Sequence, residues 1–157
     1  MAQFKQLGSP TECKTTSPAI TIADIVDLEF SFDPDLAEHF GGSQRFPRYT
    51  IGNDNTTVTL RTTDVAALGW HKGLEATALS VTYAATISAI SAIGAQGATL
   101  TQDAGTIIFT ISNVRVVSAT RVSNGAGGAP AEYQVTFRAA VVESTGAAPT
   151  LTFDVTV

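Results

Sequence analysis

The sequence predicts a mainly β fold, a β-sandwich or barrel of about seven strands with one or two short flanking helices. Three observations carry that expectation. Apolar and polar residues alternate with period two at 20–33, 56–61, 105–111, 133–139 and 151–157. Clusters of Gly, Pro, Asn, Asp and Ser punctuate the chain between these runs. Thr, Ala, Gly and Val dominate, and only 15% of residues are charged.

Residues 1–19 have no period and hold Pro10, Pro18 and the cluster TECKTTSP. They read as an extended arm that orders only by docking, ahead of one β-sandwich domain over 20–157. In ITIADIVDLEFSFD, Val26, Leu28, Phe30 and Phe32 share one face. Asp27, Glu29, Ser31 and Asp33 share the other, so this strand has a dry face and an acidic wet one. Asp33-Pro34 then suits a helix start, with Leu36 and Phe40 four apart and Gly41-Gly42 as the stop. The loop SQRFPR follows, with Arg45 and Arg48 beside Phe46.

The stretch YTIGNDNTTVTLRTTDVAALGWHKG reads as a hairpin turning at Gly52-Asn53-Asp54-Asn55. Val58 and Leu60 face inward and Thr57, Thr59 and Arg61 outward. Thr63 or Asp64 caps a short helix, Val65–Leu68, which stops at Gly69. Leu79, Val81 and Tyr83 mark the next strand. Over 84–104, Ile87, Ile90 and Ile93 recur every three residues, which fits a helix or an Ala-rich loop. Ile107, Phe109 and Ile111 then share a face, and the phase flips at Asn113, a β-bulge candidate. SNGAGGAPA is a flexible tip. Beyond it Tyr133, Val135, Phe137 and Ala139 alternate with Glu132, Gln134, Thr136 and Arg138. Leu151, Phe153, Val155 and Val157 close the chain on a strand that must pair with something.

The residue types point away from catalysis and from cofactors. His39, His71 and the lone Cys13 lack any short-range metal-ligand spacing, so no metal site is expected. The acids near Glu38 and His39 read as helix-capping charges. Asn53-Asp54-Asn55 lacks the later glycine and glutamate of a calcium loop. The glycines near 125 precede a strand instead of a helix, so they are no phosphate cradle. Trp70 reads as a core anchor at the helix end, with a sugar-stacking platform as the less common use. One cysteine favours a reducing compartment, the first residues carry no apolar leader, and no membrane span is expected. A net charge of −5 argues against holding nucleic acid by phosphate neutralisation.

The leading strand IVDLEFSFD, the segment YTIGNDNTTVTLRTTDVAALGWHKG with LEATALSVTYA, and SNVRVVSATRVSNGAGGAPAEYQVTFRAA together resemble the tail tube (major tail) protein family of tailed bacteriophages. The resemblance spans roughly 20–157 and rests on pattern. It implies a homo-oligomeric ring, stacked into a tube with other tail proteins, made in the host cytoplasm and carried in the virion. DNA would pass through the lumen without tight binding. No catalytic residue comes with the resemblance, so no enzyme is expected. Lumen-lining candidates are Asp27, Glu29 and Asp33, or Glu132, Gln134 and Arg138. Inter-subunit candidates are Arg45, Arg48, Arg61 and Lys72, with the arm and the loop at 34–48 as ring-to-ring contacts. The alternatives are a minor tail or tail-completion subunit, or a capsid-decorating or receptor-binding β-sandwich.

Overall fold

A computed structural model describes residues 2–43, 45–51, 55–91, 99–121, 127 and 130–156. The expected turn at Gly52-Asn53-Asp54-Asn55 and the tip at 123–131 fall largely outside these residues, as do Ile93, Gly94 and Gly97. In chain order the strands are β1 (Ala2–Thr16), β2 (Ile20–Ile22), β3 (Ile25–Phe32), β4 (Leu36–His39), β5 (Arg48–Ile51) and β6 (Thr56–Thr62). After a 3-10 helix (Val65–Gly69) come β7 (Glu75–Ala76), β8 (Ala78–Ser91), β9 (Thr99–Ile111), β10 (Val114–Arg121), β11 (Tyr133–Ala139) and β12 (Leu151–Thr156). The first sheet has the order β12-β9-β8-β1-β2, and the second β3-β6-β11-β10-β7. Strands β4 and β5 form a separate two-stranded sheet. All the pairings among these strands are antiparallel. The mainly β expectation holds.

The alternation in the sequence builds the core between the two sheets. Strand β6 buries Thr56, Val58, Leu60 and Thr62 and leaves Thr57, Thr59 and Arg61 half-exposed. Val58 and Leu60, with Val114, Val116, Val135 and Phe137 of the same sheet, pack in one cluster with Cys13, Ile22, Leu79, Val81 and Ile111 of the first. The buried Thr62 hydroxyl donates to the Asp24 carbonyl and accepts from Asp64 N at 3.0 Å, so its burial leaves no orphaned polar atom. Asp64 caps the 3-10 helix through Ala66 N, as one of the two expected caps. Trp70 at the helix end is a core anchor. It meets Phe137 edge-on at 5.0 Å, and its Nε1 donates to Thr15 Oγ1 at 2.9 Å.

Several expectations are corrected. Residues 2–16, expected as an extended arm that orders only by docking and stands apart from the domain, form a long strand of the first sheet between β8 and β2. Its period is hidden because the buried residues are the small Cys13 and Thr15, alternating with half-buried Glu12 and exposed Lys14 and Thr16. The helix expected after Asp33 is the β4–β5 hairpin, with Leu36 opposite Ile51 and His39 opposite Arg48. So short a segment cannot meet the nucleation cost of a helix without a buried face to dock, and every residue of β4 is exposed. Strand β5 therefore does not pair with β6, whose neighbours are β3 and β11. The Ile-Ser-Ala segment at 84–91 continues β8, which pairs with β9 out to Ser91 opposite Thr99.

Three local phases also differ. The flip at Asn113 is a corner where the chain leaves β9 in one sheet and enters β10 in the other. Asn113 is buried there; its Nδ2 donates to the Ala140 carbonyl at 2.9 Å, and Ala140 N donates back to its carbonyl. In β3 the register shifts between Ile25 and Asp27, which turns Val26 outward and Ile25 toward the core. Finally, β12 pairs with β9 along one edge, yet Leu151 and Phe153 stay exposed.

Candidate functional site

The outer face of the second sheet collects most of the polar candidates. The register sets Asp27 beside Arg61 and Arg61 beside Gln134, then Glu29 beside Thr59 and Thr59 beside Thr136. Ser31, Thr57 and Arg138 complete a third row. The two acidic-polar faces expected as alternatives are thus one surface, spread over β3, β6 and β11. Asp33 lies just past β3 and is exposed. Arg61 donates to Glu132 at 2.5 Å, Arg138 donates to Asn55 Oδ1, and the Thr59 and Thr136 hydroxyls meet at 3.4 Å. Cations are tied by neighbours while the carboxylates of β3 face outward, so the surface is polar without being a cationic track. Arg61, expected at a subunit border, belongs to this face.

An aromatic edge lies between the sheets. Phe109 of β9 touches Tyr83, Phe30 of β3 and Phe153 of β12 at ring separations of 5.6, 5.4 and 5.6 Å. Phe30 stacks on Phe32 at 4.5 Å. Tyr83 is buried and Phe30 and Phe109 are half-buried, but Phe32 is 49% exposed and Phe153 62%. Among the described residues both β12 and β3 are edge strands, and an edge strand offers backbone donors and acceptors to a further strand. Sequence reading placed Phe32 on a dry face and left Phe153 on a strand that must pair with something, because alternation reports an apolar face and cannot say whether the covering layer lies in the same chain.

The other cations lie apart. Arg45 sits over the Phe46 ring at 5.9 Å, and Arg48 is on β5. Lys72 borders a cavity of about 370 Å³ between the 3-10 helix and strands β10 and β11, whose walls include Leu68, Trp70, Val135, Tyr133, His71 and Arg121.

Among the described residues no three of His, Cys, Asp and Glu gather to hold a metal ion. His39 and His71 are exposed and far apart in the chain. Burial, and secondarily Glu12, push the Cys13 thiol up to about 12, so it is an inert core group. Burial also raises Tyr83, with Cys13 as the smaller cause. No described helix is long and apolar enough to cross a membrane.

Neither a family model nor a curated protein matches this sequence. Solved structures do match. The cap of the anti-feeding prophage, its tube-terminating cap, aligns with TM-score 0.50 at 14% identity over 97% of this chain and 93% of its own. That similarity extends over both sheets and establishes a shared fold. A chain of the sheath–tube complex of an extracellular contractile injection system, PVC, aligns with TM-score 0.48 at 14% identity, covering 93% of this chain and 88% of that one. A chain of the same system's sheath/tube terminator aligns with TM-score 0.45 at 16% identity, covering 91% of each.

Proposed function

We propose that this chain is a non-enzymatic structural subunit of a tail-like tube, in which copies join sheet edge to sheet edge into rings and the rings stack. The observation that carries this reading is the aromatic edge. Among the described residues strand β12 has one strand neighbour, and it presents Leu151 and Phe153 to solvent, 44% and 62% exposed, beside the Phe30–Phe32 stack on the edge strand β3. Edge strands that expose large apolar side chains are aggregation hazards unless another chain covers them. The fold shared with a tube-terminating cap supports the same reading. The phage resemblance adds six copies per ring, virion location and DNA as cargo. On this reading residues 1–157 act as one building block, and the face bearing Asp27, Glu29, Gln134 and Arg138 lines the lumen. Repulsion of phosphates by its outward carboxylates would keep passing DNA from binding tightly.

The cap neighbour favours a second reading, a tail-completion subunit that forms one ring and stops. Sedimentation velocity of the purified chain over a wide concentration range separates the two. A tube subunit gives rings that grow into a broad, fast-sedimenting series. A completion subunit gives one discrete ring. A strict monomer at every concentration removes both.

A further inference from the structure

The β4–β5 hairpin and the cavity beside Trp70 lie at opposite ends of the second sheet. The chain enters the hairpin from the end where Phe32 pairs with Thr56. The cavity sits at the other end, where Thr62 pairs with Tyr133 and Tyr133 with Arg121. Six residues of strand separate these ends, about 20 Å at the usual rise. We propose that the hairpin of one copy seats in this cavity on the next copy, joining subunits head to tail along the strand direction. The proposal rests on the tube reading and supplies the residues for its stacking contact.

Each half lacks something that the other has. A two-stranded hairpin alone is marginal in water and needs a surface to pack on. The segment around this one exposes Leu36, Phe40, Phe46 and Tyr49, at 63%, 65%, 77% and 56%. In the pairing register Glu38 stands opposite Tyr49, and Leu36 is two residues from Glu38, so the three share one face. That face is apolar with a single carboxylate. The cavity is lined by the apolar Trp70, Leu68 and Val135 together with Lys72, His71 and Arg121. Among the described residues no ion pair engages Lys72 or Glu38. Hairpin and cavity are different patches, so the contact is heterologous and repeats in one direction, the geometry of a stack. Charge complementarity selects a second copy as the occupant.

A charge-swap cycle tests the pairing, with assembly read by sedimentation velocity and negative-stain microscopy. Glu38→Lys and Lys72→Glu alter exposed positions and should leave the circular dichroism unchanged. Each alone sets like charges together and should shift the assembly midpoint at least about tenfold to higher concentration. The double variant should restore it to near the wild-type value. Single variants that stack like the wild type overturn the pairing while leaving the tube reading intact. Loss of assembly without rescue in the double variant also overturns it, and points to a different chain as occupant. A wild-type chain that never assembles overturns both.

Discussion

Phe153 separates a fold residue from an assembly residue. An aromatic side chain buries about 150–250 Å². With 62% of Phe153 exposed, roughly 120 Å² is uncovered and about 80 Å² is covered by its own chain. At about 25 cal/mol per Å², the covered part is worth ~2 kcal/mol to the fold and the uncovered part ~3 kcal/mol to an interface. Phe153→Ala should therefore cost at most ~2 kcal/mol in urea denaturation, and lower the melting temperature by several degrees. Phe153→Asp should keep the native far-UV spectrum and abolish the ring in sedimentation velocity, because each interface would then desolvate a carboxylate. The reasoning fails if Phe153→Asp unfolds the chain, which would make this face core. It fails equally if Phe153→Asp assembles like the wild type, which would remove β12 from the interface.

Three further outcomes test the packing. Asn113→Ala removes the donor to the buried Ala140 carbonyl and should cost about 1–3 kcal/mol by urea denaturation. Trp70→Phe loses the bond to Thr15 and leaves a void against Phe137; calorimetry should record a loss of about 2–3 kcal/mol. Cys13 makes stability depend on alkaline pH. Below pH 9 the thiol is protonated in both states; above it the unfolded chain releases a proton that the folded chain retains until about 12, so stability falls as pH rises. Between pH 9 and 11 the fall should be about 2–3 kcal/mol, and Cys13→Ala should remove it, leaving the later and separate contribution of Tyr83.

Where large apolar residues carry the alternation, the sequence is legible. Val58 and Leu60, Leu79 and Val81, and Val135 and Phe137 all face the core as expected. Trp70 and Asp64 took their expected places at the two ends of the short helix. Legibility was lost where burial fell to small or polar side chains: Cys13 and Thr15 concealed β1, and the buried Asn113 looked like a bulge while marking the passage between sheets. It was lost again at 34–48, where Asp33-Pro34 carries a helix-start signal and nothing local reveals that Leu36–His39 pairs with Arg48–Ile51. The candidate site was half-visible. The polar residues of β3 and β11 were singled out, but only strand order revealed that they share one surface with Arg61. The cavity beside Trp70 had no signal in sequence, because its walls come from segments that are distant in the chain.

The proposed function requires that copies of this chain build a hollow ring. Cryo-electron microscopy of the concentrated protein tests it most directly. The expected images are rings or stacked tubes in which β12 and β3 lie at the contacts between neighbours and the face bearing Asp27, Glu29 and Gln134 lines the lumen. Monomers at every concentration, or closed particles with that face on the outside and β12 in solvent, would contradict it.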